Sequence, residues 1–447
     1  MSAPALFGTD GVRGVAGVYP LDPPTVARLG AAIARTCRRA DRTLAVAIGR
    51  DTRESGEWIE RELSRGIEAE GGRVTAFGVL PTPAVAYLTR TGAFDLGVVL
   101  SASHNPFGDN GIKVFSGAGE KFAEVDERAV ERDMADTSWR VPAAATAHLA
   151  TADERAAYIE HLLALAPSPA AVAGWRVAVD MANGATVTVA PGVFERLGVE
   201  VVPLGDAPNG RNINLGCGST HPAGLVAAVK ARACQIGVAF DGDGDRAIFV
   251  DARGHVVDGD AVLYVLALER ARQGRLAGRT VVATVMSNLG LELALGDRGI
   301  ALVRTPVGDK YVQERMAAGG FVLGGEQSGH VILAEHLPTG DGLATALALL
   351  SVMADTGRPL HDLAAGMVTL PQTLVNVRVR EKRPVDDVSE IRAAVSRVEA
   401  AQAGRGRVLV RYSGTEPLLR IMIEGEDQAS VQAWAEEIAE AVRATLA

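Results

Sequence analysis

Three carboxylates at alternate positions mark the segment Asp241-Gly242-Asp243-Gly244-Asp245-Arg246. In an extended segment, residues i, i+2 and i+4 point to one side, so the three would crowd one spot and repel. The glycines between them remove bulk and let the backbone bend around something. A hard divalent cation, which takes carboxylate oxygens, relieves that repulsion. A solvated acidic turn is the plainer alternative. The strict spacing, directly after the apolar run Ile236-Gly237-Val238-Ala239-Phe240, favours the metal.

Three other polar loops could do chemistry. Ser101-Ala102-Ser103-His104-Asn105-Pro106 places two hydroxyls and an imidazole beyond the run Leu96-Gly97-Val98-Val99-Leu100, which suits a nucleophile or a phosphate site. A phosphoserine there would carry about −1.5 to −2 charge and need a cation as partner. In Gly324-Gly325-Glu326-Gln327-Ser328-Gly329-His330, Glu326 and Ser328 face one way if the loop is extended, an arrangement that can hold sugar hydroxyls. His330 reads equally as a proton shuttle or as a loop-orienting donor. Arg411-Tyr412-Ser413-Gly414-Thr415-Glu416, with Arg420 on the next apolar run, offers backbone N–H groups and two guanidinium forks to a phosphate. Taken singly, each of these three loops also reads as an ordinary turn.

Several motifs are excluded. An EF-hand loop would need Gly at Arg246 and Glu at Ala252. A hydrolase nucleophile elbow would need glycines flanking the serine, and a Walker loop would need a Lys and a longer glycine spacing. A haloacid-dehalogenase phosphatase also begins on a paired-Asp loop, with Asp241 in the place of its nucleophile. Asp245 stands where its Thr belongs, and that motif opens a fold rather than sitting mid-chain.

The elements that must position these loops follow a repeated pattern. Leu44–Gly49 runs into Arg50-Asp51 and Leu96–Leu100 into the serine loop. Val177–Val179 runs into Asp180-Met181-Ala182-Asn183-Gly184 and Ile236–Phe240 into the aspartate loop. Val281–Val285 runs into Met286-Ser287-Asn288, and Phe321–Leu323 into Gly324-Gly325-Glu326. Short β-branched runs separated by helical stretches predict βαβ units and largely parallel sheets, with ligands beyond the carboxyl ends of the strands. The last stretch differs. Leu374–Val379, Val408–Arg411 and Leu419–Ile423 read as strands, and Val388–Ala401 as a helix. A final helix carries Val431, Trp434, Ile438 and Val442 on one face. The expected fold is α/β: three similar α/β domains with mixed, largely parallel sheets plus a C-terminal α+β domain, around one central cleft. The expected boundaries are 1–150, 151–251, 252–369 and 370–447.

Composition bounds the partners. The chain has 447 residues, enough for two to four domains at roughly 100–200 residues each. A net charge of −9 argues against nucleic acid, whose phosphates select basic surfaces. No apolar run approaches the ~18 residues of a membrane span, and the start shows no basic region followed by an apolar run. Cys37, Cys217 and Cys234 form no close pairs, so neither a disulfide framework nor a zinc knuckle is implied. A cytoplasmic protein is expected, with no membrane or nucleic-acid partner.

Together the four loops resemble the α-D-phosphohexomutase family, across essentially the whole chain and in that family's order. The opening Phe7-Gly8-Thr9-Asp10-Gly11-Val12-Arg13-Gly14 and the Gln in Gly-Glu-Gln-Ser-Gly-His look like its phosphoglucosamine mutase branch, whereas phosphomannomutase/phosphoglucomutase relatives usually carry Met at the place of Gln327. The resemblance implies that Ser103 is phosphorylated and that Asp241, Asp243 and Asp245 bind one Mg2+ together with a phosphoserine oxygen. It implies that Glu326 and Ser328 hold sugar hydroxyls, and that Arg411, Ser413, Gly414, Thr415 and Arg420 bind the phosphate that is not reacting. Arg13, Lys113 and His330 are expected near the transferring group, with Arg246 and His104 among the substrate contacts. The implied activity interconverts glucosamine 6-phosphate and glucosamine 1-phosphate through a sugar 1,6-bisphosphate, which could also prime the serine, in a site closed by a mobile fourth domain. This activity would supply UDP-N-acetylglucosamine and cell-wall precursors, and an oligomer is compatible with it. The other readings are a phosphomannomutase/phosphoglucomutase, a phosphatase using Asp241, and a non-catalytic sugar-phosphate sensor. Two positions depart from the family pattern: Tyr412 replaces a usual Pro, and Lys310 in Gly308-Asp309-Lys310 replaces the usual Arg of the glucosamine branch.

Overall fold

The computed structural model describes residues 6–8, 10–39, 41–143, 145–413 and 417–447. Six strands, β1 (Val12–Val15), β2 (Ala45–Arg50), β3 (Arg73–Val79), β4 (Leu96–Leu100), β5 (Asp109–Ser116) and β6 (Ala150–Thr151), form a sheet ordered β1-β5-β4-β2-β3-β6. A second sheet joins β7 (Arg176–Asp180), β8 (Glu200–Leu204), β9 (Ile236–Phe240), β10 (Ala247–Asp251) and β11 (Val256–Val257) in the order β11-β10-β9-β7-β8. The third holds β12 (Thr280–Thr284), β13 (Ala301–Thr305), β14 (Leu323–Gly325) and β15 (Val331–Leu333) in the order β13-β12-β14-β15. The fourth, of β16 (Gln372–Arg378), β17 (Arg407–Tyr412) and β18 (Leu418–Glu424), is ordered β16-β18-β17.

The first three sheets contain one kernel. It is β5-β4-β2-β3 in the first, β10-β9-β7-β8 in the second and β15-β14-β12-β13 in the third. In each, three strands are parallel, as β-branched runs joined by helical crossovers require. The remaining strand pairs antiparallel with the one just before it in sequence. This return strand adds to the sequence expectation. The serine, aspartate and glutamate loops are not simply the ends of parallel strands. Each is a hairpin connection, held at both ends by the sheet. The fourth loop likewise joins β17 to β18, in a sheet that is antiparallel throughout.

One strand boundary differs from expectation. Gly324 and Gly325 belong to β14 rather than to the loop after it, where they pair with Val282 and Ala283. A Cβ on Gly324 would lie 2.5 Å from the Met316 sulfur and 2.8 Å from the Val282 carbonyl oxygen. Glycine there reflects close packing of a central strand, which sequence propensity misreads as a turn.

The chain divides into two compact units. One runs to Met286 and resumes at Ile300–Ala365; the other is Ser287–Gly299 with Gly366–Ala447. In the second unit, helices Ser389–Gln402 and Gln428–Leu446 lay Ile391, Val398, Val431, Ile438 and Val442 against Leu419, Ile421 and Ile423 of the sheet, with Trp434 partly buried beside them. Asn288 ties its segment to this unit: its side chain donates to the Leu370 carbonyl and accepts from the Leu370 N–H, both at 3.0 Å. Among the described residues, no helix is long and apolar enough to cross a membrane.

In the first unit, Asp22 caps helix Pro23–Thr36, accepting from Thr25 N, and Pro23 takes the first helical position. This helix packs on Gly56–Ala69 through a glycine from each. A Cβ on Gly30 would lie 2.1 Å from the Leu63 carbonyl oxygen, and one on Gly66 would lie 1.8 Å from that of Ala27. Backbone atoms cannot swing aside as a side chain can. Gly66→Ala is therefore expected to destabilise the first unit by about 1–3 kcal/mol, the usual cost of overpacking, seen as a lowered thermal midpoint. An unchanged midpoint would show that the helices separate freely.

Candidate active site

Ser103 follows β4 in the left-handed region, with φ of 53°, and its side chain is buried. A non-glycine residue stays there only when its surroundings hold it. Ser101 Oγ accepts from Ser103 N at 2.9 Å and donates to Asp51 Oδ2 at 2.6 Å. Beneath the loop lies Arg53, fully buried. It donates to Asp51 at 2.8 Å, to the Ser103 carbonyl at 3.0 Å, to that of Asn105 at 2.8 Å, and to that of Pro106. Asn214 Nδ2 reaches the Ser103 carbonyl at 2.9 Å. Ser103 Oγ donates to Asp241 Oδ2 at 2.5 Å and lies 3.2 Å from His104 Nδ1.

The aspartate loop can approach this closely because of one glycine. A Cβ on Gly242 would stand 2.5 Å from the Ser103 carbonyl oxygen. The loop is a turn rather than an extended segment: Gly244, at φ +73°, donates its N–H to the Asp241 carbonyl at 3.2 Å. The three carboxylates thus converge by chain reversal rather than by strand alternation. They are buried, and each offers an oxygen within 4.8 Å of the others. Burial, with Asp245 and Asp243 beside it, holds Asp241 well above the usual carboxylate range. Burial also acts to raise Asp245, but Lys113 and His330 outweigh it and hold that group well below the range.

The carboxylates have few partners to share. Thr82 Oγ1 donates to Asp243 Oδ2 at 2.6 Å, and Lys113 Nζ donates to the same oxygen at 2.8 Å. Arg246 N donates to Asp241 Oδ1 at 3.2 Å. Asp243 Oδ1 and Asp245 Oδ1 are buried without a hydrogen-bond partner among the described residues. Partnerless carboxylate oxygens beside an oxygen-only ligand set fit a hard divalent cation. His104 is pushed down to about 4 by burial, Arg246 and Arg13, so it is neutral near pH 7.

The glutamate loop docks against the aspartate loop's strand. Ala247 N donates to the Gly329 carbonyl at 3.1 Å, and Gly259 N to that of Gln327 at 3.0 Å. This loop is also a turn, closed by Gly329 N on the Glu326 carbonyl at 3.0 Å. Glu326 and Ser328 nonetheless meet, Ser328 Oγ donating to Oε2 at 3.3 Å, while Gly308 N donates to Oε1 at 3.2 Å. Gln327 instead turns to Asp258, the cap of helix Gly259–Arg272, at 3.2 Å. His330 is buried, with Nδ1 3.6 Å from Asp245. Nε2 accepts the Gly340 N–H at 3.1 Å and lies 3.4 Å from Asp309. Arg13 pairs with Asp10 and reaches the Ala102 carbonyl at 3.5 Å.

In the second unit, Arg411 and Arg420 stand directly opposite each other across β17 and β18. Like charges so placed repel; burial and Arg420 lower the Arg411 pKa. An anion relieves both. Arg420 donates to Ser413 Oγ at 3.4 Å; Gly414 and Thr415 lie outside the described residues. Tyr412, at the unusual position, ties down a neighbouring segment. Its hydroxyl donates to the Arg383 carbonyl at 2.6 Å and accepts the Arg383 N–H at 3.1 Å, beside Lys382, whose Nζ reaches the Ser413 carbonyl at 2.7 Å. Lys310, the other departure, pairs with Glu127 at 2.8 Å.

Sequence reasoning missed Asp51, Arg53, Thr82 and Asn214 as parts of the site. Asp51 had a signal, since it follows directly on β2 at its carboxyl end. Asn214 had none, because it comes from a loop whose position depends on the second sheet's placement.

Four family models match the chain in order: phosphoglucomutase/phosphomannomutase alpha/beta/alpha domain I at residues 4–141, domain II at 156–254, domain III at 258–370 and the C-terminal domain at 374–441. The phosphoglucosamine mutase of Alkalilimnicola ehrlichii is 50% identical over 438 residues, covering 98% of this chain and 97% of its own. That of Moorella thermoacetica is 51% identical over 429 residues, 96% of each. A solved putative phosphomannomutase from Thermus thermophilus superposes with a TM-score of 0.78 at 27% identity, over 99% of this chain and 100% of that one. The fold alone is shared with Aspergillus fumigatus N-acetylphosphoglucosamine mutase, solved in complex with GlcNAc-6P and magnesium, at a TM-score of 0.67 and 18% identity, over 98% and 95% of the chains.

The aspartate cluster makes a direct prediction. Calorimetric titration should show Mg2+ binding, weakened roughly ten- to hundredfold or more in Asp243→Asn, since even outer-shell losses reach that scale. Equal affinity in the variant would remove Asp243 from the metal site.

Proposed function

The chain belongs to the phosphoglucomutase/phosphomannomutase family, and from that premise we propose that it is a phosphoglucosamine mutase, interconverting glucosamine 6-phosphate and glucosamine 1-phosphate. The observation that carries the mechanism is the placement of Ser103 Oγ on Asp241, beside two buried carboxylate oxygens that lack hydrogen-bond partners among the described residues. The amino sugar rests on the curated relatives at 46–51% identity, which bear that name. The proposed division remains 1–150, 151–251, 252–369 and 370–447. Three unpaired cysteines suit a reducing, cytoplasmic setting.

In this reading Ser103 carries a phosphoryl group and gives it to the free hydroxyl of the sugar phosphate. The Oγ–P bond breaks, a bond from the sugar oxygen to phosphorus forms, and the hydroxyl proton passes to Ser103 Oγ. The sugar 1,6-bisphosphate turns end for end and returns its other phosphoryl group to Ser103 by the reverse step. One Mg2+, held by Asp241, Asp243 and Asp245, supplies positive charge against the phosphoryl oxygens when bound. Arg13, Lys113 and Arg246 add cations around the same group, His104 orients beside Ser103, and His330 backs Asp245. Glu326 and Ser328 accept and donate to sugar hydroxyls, while Arg411, Ser413, Gly414, Thr415 and Arg420 hold the phosphate that is not reacting. A phosphatase using Asp241 is disfavoured, because that carboxylate already accepts from Ser103 and from Arg246 N.

Two outcomes are expected. Ser103→Ala should lose nearly all mutase activity, and Ser101→Ala far less, because Ser101 only supports the loop; wild-type turnover by Ser103→Ala would end the phosphoserine mechanism. The phosphorylated enzyme should prefer glucosamine phosphate in kcat/KM over glucose and mannose phosphates by about 1–3 kcal/mol, the usual reach of one substituent. A preference for mannose or glucose phosphate would move the chain to the other branch.

A further inference from the structure

A circuit of five charged side chains, closed through the His330 ring, links the three loops of the first unit. Asp10 Oδ2 is 3.0 Å from Lys113 Nζ, and Lys113 Nζ is 3.4 Å from Asp245 Oδ2. Asp245 Oδ2 is 3.6 Å from His330 Nδ1, and His330 Nε2 is 3.4 Å from Asp309 Oδ2. Asp309 pairs with Lys121, and Lys121 Nζ returns to Asp10 at 2.5 Å. Asp10, Lys113 and Lys121 come from the segment of the first sheet, Asp245 from the aspartate loop, and Asp309 and His330 from the segment of the third sheet. Side-chain exposure around the circuit ranges from 1% at His330 to 18% at Asp10, so water screens it little.

Building on the phosphoryl-transfer reading above, we propose that Lys121 and Asp309 are positioning residues, which close this ring and so hold the aspartate loop in register with the serine and glutamate loops. Among the described residues neither hydrogen-bonds to Ser103 or the three aspartates, although Asp309 offers an oxygen within 4.8 Å of a carboxylate oxygen of Asp245 and a ring nitrogen of His330. They act through two arms. Asp10 takes Lys121 on one oxygen and Arg13 and Lys113 on the other, so it steadies Arg13 toward the serine loop and Lys113 toward the aspartate loop. Asp309 opens helix Asp309–Gly319 and faces His330, which stands behind Asp245. The preceding residue, Gly308, donates its N–H to Glu326, so the same turn also fixes the carboxylate proposed to hold the sugar. Lys121 is where the arms meet. Without its charge, Asp10 and Asp309 approach each other as two buried anions, and each arm loses one of its anchors. Burial disfavours the charged Lys121, yet Asp10 and Asp309 outweigh it and raise its pKa, as expected for a cation between two carboxylates.

The test compares wild type, Lys121→Met, Lys121→Arg, Asp309→Asn and the double variant Lys121→Met/Asp309→Asn as full-length, phosphorylated, Mg2+-loaded enzymes. Lys121→Met and Asp309→Asn should each lower kcat by roughly tenfold or more while changing KM little, and weaken Mg2+ binding measured by calorimetry. Lys121→Arg should restore kcat. The double variant removes the opposed charges, so its thermal midpoint should recover while its kcat stays low, because the ring is still open. Recovery of kcat along with the midpoint would show that Lys121 only balances charge, and unchanged kcat and Mg2+ affinity in both single variants would likewise overturn the proposal. Failure of the functional reading is told apart by wild type: if it turns over none of the sugar phosphates, the Mg2+ affinities of the variants still report whether the ring holds Asp245.

Discussion

Three carboxylates buried within 4.8 Å of one another repel strongly in a low-dielectric setting, and much of the first unit is arranged to make that tolerable. Lys113 stands against two of them, with Asp10 behind it to keep the lysine charged; three carboxylates outweigh its burial and raise its pKa well above the ordinary value. Thr82 and the Arg246 N–H take further lone pairs. Asp243 Oδ1 and Asp245 Oδ1 remain without a hydrogen-bond partner among the described residues. The cluster is unfavourable as a structural element by itself, and an oxygen-only set of this kind attracts positive charge.

The hairpin placement of the chemical loops solves a second problem. The serine, aspartate and glutamate loops must be held in place although they come from distant parts of the chain. Each lies between a parallel strand and its antiparallel return, so both ends of each loop are fixed by ladder hydrogen bonds. Close approach is then left to glycines. Gly242 lets the aspartate loop reach the Ser103 carbonyl, and Gly329, where a Cβ would lie 2.3 Å from the Ala247 carbonyl oxygen, seats the glutamate loop on the strand that follows the aspartates. Arg53 completes the serine loop from below, satisfying three carbonyls that no ladder reaches.

The second unit sets two like charges side by side. Arg411 and Arg420 face each other across β17 and β18, an unfavourable pairing. Tyr412 stiffens the approach to that pair by hydrogen bonding rather than by a ring-locked backbone: its hydroxyl pins Arg383, and Lys382 alongside pins the Ser413 carbonyl.

By itself the sequence determined the α/β class, the four polar loops, the serine and the three aspartates, because these follow from local composition: apolar runs ending in short polar loops, and carboxylates too regularly spaced for a solvated turn. It also located nine of the eighteen described strands to within two residues, and missed the antiparallel return strands β5, β10 and β15. It misjudged how the loops bend. Extended geometry was expected for Asp241–Asp245 and Glu326–Ser328, and both are turns, because a two-strand return demands chain reversal that side-chain alternation does not encode. Lys121, Asp309, Thr82 and Asn214 could not be read at all. Each is ordinary in its own neighbourhood and gains a role only from a partner on another sheet, as Thr82 does from Asp243 and Asn214 from Ser103. Which charges neutralise which depends on distances across domains, and these are set only when the sheets pack and water is excluded from between them.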